Sequence, residues 1–149
     1  MRYAYALLAL AALAGCASSS SSTTTTATRT ASAGGEQRAF QRMSVDELAG
    51  MLSRNESVYV FDNNRRERYL QGHVPTARWV SYDAVTASVL PEDRAARLVF
   101  YCANESCRAC HHAADAALSL GYTNVYILPA GIAGWAAAGQ RVVAGEDPS

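Results

Sequence analysis

The stretch from Val99 to Leu120 constrains this chain most. Val99-Phe100-Tyr101 is β-branched and aromatic, Cys102 follows, and a short polar run of Ala103, Asn104, Glu105, Ser106, Cys107 and Arg108 leads into an alanine-rich segment. In that segment Arg108, His112, Asp115 and Ser119 recur at helical spacing opposite Cys110, Ala113, Ala117 and Leu120. The pattern predicts a strand that hands a cysteine to a helix N-terminus. Unpaired amides and the helix dipole there favour a thiolate and can cradle an anion. Cys102 is therefore the candidate catalytic nucleophile, with a lowered pKa, and Ala103 to Arg108 the candidate substrate-binding loop.

The rest of the chain suits one α/β domain. Ser44 and Glu47 form a capping-box pair ahead of an apolar stripe of Val45, Leu48, Met51 and Leu52, which predicts a helix over roughly 45–54. Val58 to Phe61 reads as a buried strand ended by Asp62. A short polar helix carries Tyr69 and Leu70 until Gly72-His73-Val74-Pro75 breaks it, and Ala77 to Val80 is a second short strand. A helix is expected over 82–89, a further strand over Val125 to Leu128 after the helix stop at Gly121, and a last turn of helix around Trp135. Strands alternating with helical segments argue for a mainly parallel sheet covered on both faces, with the active loop outside the carboxyl end of its strand. With 149 residues, 50% of them hydrophobic, the chain can build one such core and not two.

Thirteen basic and thirteen acidic residues cancel, which removes the electrostatic footprint that nucleic-acid binding needs. The four cysteines are too few and too clustered for a disulfide framework.

The first fifteen residues have a basic start at Arg2 and an apolar run too short to span a bilayer, which is the pattern of a secretory signal. Leu13-Ala14-Gly15-Cys16 resembles the bacterial lipobox, so residues 1–15 are expected to be removed and Cys16 lipidated. Residues 16–38 are Ser/Thr-rich and read as a flexible tether to a domain at 39–145. The expected location is the periplasmic side of a membrane. Ala17 after the cysteine favours the outer one.

Val60-Phe61-Asp62 with Tyr69-Leu70-Gln71-Gly72-His73-Val74-Pro75, then Val99-Phe100-Tyr101-Cys102, then Ala130-Gly131-Ile132-Ala133-Gly134-Trp135 with Ala138-Gly139, together resemble the rhodanese domain from about Ala39 to Val143. The resemblance implies a monomeric sulfurtransferase without a cofactor. Cys102 would take a sulfane sulfur from a small donor as a persulfide and pass it to a thiol or cyanide-like acceptor. Asp62 and His73 would support the site, and each reads more simply as a structural hydrogen-bonding residue than as an acid or base.

Three departures bear on substrate. Asn64 stands where many members have an arginine, and the loop holds Glu105 with no cation before Arg108, so poor binding of thiosulfate is expected. Five residues separate Cys102 from Arg108, as in the related phosphatases and arsenate reductases, where the arginine forks onto an oxyanion. A catalytically weak binding module is the other alternative. Cys107, Cys110, His111 and His112 look unable to converge on a metal, since Cys110 falls on the apolar helix face and His112 on the polar one. Cys110 is expected in the core, and Cys107 as the thiol that bridges Cys102 under oxidising conditions, if their α-carbons come within about 7 Å.

Overall fold

The computed structural model describes residues 39–146, so the expected signal segment, Cys16 and the expected tether lie outside the described residues. Five strands, β1 (Gln41–Arg42), β2 (Tyr59–Asp62), β3 (Arg78–Trp79), β4 (Arg97–Tyr101) and β5 (Asn124–Leu128), form one parallel sheet in the order β1-β5-β4-β2-β3. β4 is the central strand, and its residues Leu98 to Tyr101 are all buried, as a strand covered on both faces requires.

The two-residue period of the strands divides the core. Leu98, Phe100 and Cys102 point to the same side as Phe61, Val125 and Ile127, while Val99 and Tyr101 join Val60 and Leu128 on the other. The first side is closed by α3 (Ala109–Ser119), whose buried stripe is Cys110, Ala113, Ala114 and Ala117. These side chains are small, which lets the helix backbone lie close to the strands. The second side is closed by α1 (Val45–Ser53) and α4 (Gly131–Ala137), through Leu48, Met51, Ile132 and Trp135. Each of those large side chains contributes roughly 1.5–3 kcal/mol by leaving water. α2 (Arg66–Gln71) links β2 to β3 at the sheet margin.

Local chemistry sets the boundaries. The Ser44 hydroxyl accepts from the Glu47 amide at 3.2 Å and the Glu47 carboxylate accepts from the Ser44 amide at 2.7 Å, the reciprocal cap read from the sequence. The helix expected over 82–89 is absent; isolated turns replace it, closed by Ala84 N–H to Ser81 and by Val89 N–H to Thr86. Ser81 bonds Asp83 and Thr86 bonds Ser88 through side chains, so short polar groups compete with the helical ladder, and Val85, Thr86 and Val89 are β-branched. No helix among the described residues is long and apolar enough to cross a membrane.

Candidate active site

The site lies where β4 ends. The Cys102 carbonyl accepts from the Ile132 amide at 3.0 Å and the Ala103 carbonyl from the Ala133 amide at 3.1 Å, so the first turn of α4 grips the start of the loop. Asn104 then turns the chain back, its side-chain oxygen accepting from the Ser106 amide at 3.1 Å and its carbonyl from the Cys107 amide at 3.1 Å. Arg108 ends the loop as the N-cap of α3 and makes no side-chain cap bond.

This reversal gathers three thiols, all free. Cys102 and Cys110 are each 1% exposed, and their sulfurs lie 3.4 Å apart. Cys107 is partly exposed and donates toward Cys102. Cys110 does sit in the core, as the periodicity indicates, but it is not isolated there, because the fold turns it onto the candidate nucleophile. A lowered pKa at Cys102 is therefore not what the structure gives. Donation of its proton to Cys110, and then burial, push the Cys102 thiol well above its ordinary range. The same bond holds the Cys110 thiol below its ordinary value. Burial raises Cys107, although the amides of Ala103 and Ala109 point at its sulfur. Within the pair Cys110 is thus the thiol more prone to ionise, and as a thiolate it can take the Cys102 proton at the moment of attack.

In front of the thiols opens a cleft of about 1030 Å³, walled by Arg65, Arg66, Arg68, Trp79, Tyr82, Ala103 and Cys107. Cys102 lies behind Cys107 rather than on the wall. Arg66 covers the Trp79 ring at 5.1 Å and pairs with Glu146, and Trp79 donates to the Asn64 carbonyl at 2.9 Å. These arginines line the cleft together with Glu67, while Asn64 and the loop supply no cation before Arg108. Asn64 is buried and holds Asp62, while Glu105 lines a separate groove with Arg42 and Pro129. Arg65-Arg66-Glu67-Arg68 was visible as a polar helix, but only the β4-β2-β3 order turns it toward the loop. Asn104, Ser106 and Arg108 are exposed and do not line this cleft.

Asp62 and His73 are fully buried. The Asp62 carboxylate accepts from the amide and the side chain of Asn64 at 2.7 and 2.8 Å. Burial nonetheless raises its pKa, against those donors and the Tyr101 hydroxyl. His73 stacks on Tyr69 at 3.9 Å, donates from Nδ1 to the Tyr69 carbonyl at 2.9 Å, and is bridged antiparallel to Val143, which ties the chain's last described segment to the end of α2. His111 Nδ1 lies 3.6 Å from the Cys110 sulfur, while His112 is exposed and faces Tyr82 at 6.0 Å. Among the described residues no group of three or more His, Cys, Asp or Glu is arranged to hold a metal.

A parallel α/β sheet whose central strand delivers a cysteine to a loop and helix defines a class of thiol-bearing domains. The model of the rhodanese-like domain matches residues 44–138, well over half of the chain, and the chain belongs to that family. Among solved structures it is similar to a thiosulfate sulfurtransferase from Pseudomonas aeruginosa, at 22% identity and TM-score 0.63 over 72% of this chain and 21% of that one. It is also similar to a single-domain sulfurtransferase from Saccharomyces cerevisiae, at 21% identity and TM-score 0.59 over 69% and 94% of the two chains. A protein of unknown function from Rhodopseudomonas palustris, described as a possible tyrosine phosphatase, matches at 18% identity and TM-score 0.58 over 70% and 85%. At these identities the likeness is one of fold. Comparison with curated proteins found no match.

Proposed function

We propose that this chain is a sulfurtransferase that takes a sulfane sulfur from a small anionic donor onto Cys102 and passes it to a thiol or cyanide-like acceptor. The observation that carries this reading is the Cys102 sulfur 3.4 Å from the Cys110 sulfur, at the end of the central strand of a rhodanese-like domain. Cys110 accepts the Cys102 proton. The Cys102 thiolate attacks the outer sulfur of the donor, the donor's sulfur–sulfur bond breaks with its electron pair on the remainder, and a persulfide stays on Cys102. Arg65, Arg66 and Arg68 on the cleft wall favour a negatively charged donor and leaving group. We place this chemistry on the periplasmic side of a membrane, with the domain held by a lipid on Cys16 and a tether long enough to clear the surface.

Arg108 bears on the oxyanion alternative. A clamp for phosphate or arsenate needs the guanidinium in the cleft with the thiol, and Arg108 is exposed and not on the cleft wall. Intact-mass analysis after exposure to thiosulfate or polysulfide tests the proposal: the parent gains sulfur at Cys102, and Cys102→Ser gains none and transfers none to cyanide. Absence of any sulfur on the parent would leave a binding module. Turnover of an aryl phosphate dependent on Cys102 and Arg108 would replace sulfur transfer by phosphatase chemistry.

A further inference from the structure

Sulfur transfer through Cys102 leaves Cys110 with more than a proton to accept. Every other buried residue of the α3 stripe is alanine, so a methyl group fills this interface elsewhere, and at Cys110 a sulfur stands in its place. That sulfur is buried in the α3 interface, and its near neighbours are the Cys102 sulfur at 3.4 Å and His111 Nδ1 at 3.6 Å.

We propose that Cys110 is a second catalytic thiol that resolves the Cys102 persulfide, releasing the carried sulfur as hydrosulfide and leaving a Cys102–Cys110 disulfide. The inference rests on the sulfur-transfer reading above and adds a fate for the sulfur. Cys110 sulfur attacks the inner sulfur of the persulfide; the bond between inner and outer sulfur breaks, and the outer sulfur departs with the electron pair and the Cys110 proton. Per cycle the carried sulfur is reduced to hydrosulfide while the two cysteines lose two electrons, and a dithiol reductant returns them to thiols by exchange.

The geometry favours this step. A disulfide needs its sulfurs at about 2.05 Å, so the pair has little more than an ångström to close. Neither backbone is free to drift, since Cys102 is held by the Ile132 amide and Cys110 lies in the first turn of α3. Two reacting groups fixed in this way react at a high effective concentration. Once Cys102 carries the sulfur its inner sulfur has no proton left to donate, so Cys110 attacks as a thiol whose proton leaves with the outer sulfur. His111, whose pKa burial and Arg108 lower, is an uncharged base beside it. Cys107, which lines the cleft, is the thiol an entering reductant meets first.

The test loads the full chain with polysulfide without oxygen, removes excess donor by gel filtration, and follows intact mass and tryptic peptides with no reductant present. Cleavage after Arg97, Arg108 and Arg141 puts Cys102 and Cys107 on one peptide and Cys110 on another. The parent should show those two peptides cross-linked, and Cys107→Ser should show the same link, since Cys102 is then the only thiol on its peptide. Cys110→Ser, which loads more slowly without its proton acceptor and is incubated with polysulfide until fully loaded, should keep its persulfide at least about 100-fold longer, because the fixed attacking group is gone. A parent that keeps its persulfide, or forms no link to the Cys110 peptide, overturns the proposal even if Cys110→Ser does not fold. So does a Cys110→Ser protein that loses sulfur at the parent's rate. A parent that acquires neither persulfide nor link overturns the sulfurtransferase reading itself.

Discussion

Gly131 lies so close beneath the Cys102 carbonyl that no side chain fits between them: a β-carbon on Gly131 would stand 2.5 Å from that oxygen and 2.6 Å from the Ala103 carbonyl carbon. Its φ of +60° is also one that other residues rarely adopt. The glycine is what lets α4 begin under the loop and offer it the Ile132 and Ala133 amides.

Gly131→Ala should therefore combine left-handed strain of roughly 1–2 kcal/mol with displacement of the loop itself. Gly121, at φ +91°, provides the control, because nothing lies within 4 Å of its added β-carbon. Thermal melts should show Gly131→Ala losing clearly more stability than Gly121→Ala, with a matching loss of sulfur loading. Equal losses would mean that the contact with Cys102 is not what the glycine serves.

The cleft arginines predict a salt-dependent effect. Arg65→Ala combined with Arg68→Ala should raise KM for thiosulfate about 3- to 10-fold at low salt, and the difference should shrink as salt screens the exposed charges. The turnover number should change less, since these exposed charges act on capture of the anion rather than on the thiols' proton. A KM unmoved at low salt would show that these residues merely edge the cleft.

Much of this was legible in the chain, for identifiable reasons. The run Val99 to Cys102 is apolar without interruption, which only a strand buried on both faces tolerates, and the cap at Ser44 is a local signal that needs no tertiary context. The alanine stripe placed Cys110 inside. What no periodicity could show is where a loop of six residues returns: that the reversal at Asn104 brings Cys110 onto Cys102, and that Arg65 and Arg68 share a cleft wall with Cys107. Residues 82–89 had enough apolar character for a helix, yet short side-chain bonds at Ser81 and Thr86 settled them into turns.

Asp62 predicts how stability responds to acid. Burial raises its folded pKa above the ordinary 3.8, so the native state holds that proton more tightly than the unfolded chain does. The stability this lends is present below the unfolded value and is lost as pH rises through the folded one. Asp62→Asn keeps an oxygen for the Asn64 amide and has no charge to bury, so it should gain on the parent in melts taken from acid toward neutrality. Asp62→Ala should lose about 1–3 kcal/mol, because the Asn64 donors are left without a partner. A constant gap between parent and Asp62→Asn across that range would remove the carboxylate from the account.

The anchoring proposal turns on Cys16. Cys16→Ser should leave the precursor uncleaved or move the protein to the soluble fraction, read by fractionation and by gel mobility. Identical behaviour of mutant and parent would rule out lipidation.

Because β4 is hydrogen-bonded along both edges, to β2 and to β5, its backbone can part from its neighbours only when the sheet itself comes apart. The loop that follows has no such restraint beyond the α4 amides and its own turn. The thiol is thus fixed at the end of an immobile strand, and a reagent that enters from the cleft meets Cys107, on the cleft wall, before the buried Cys102.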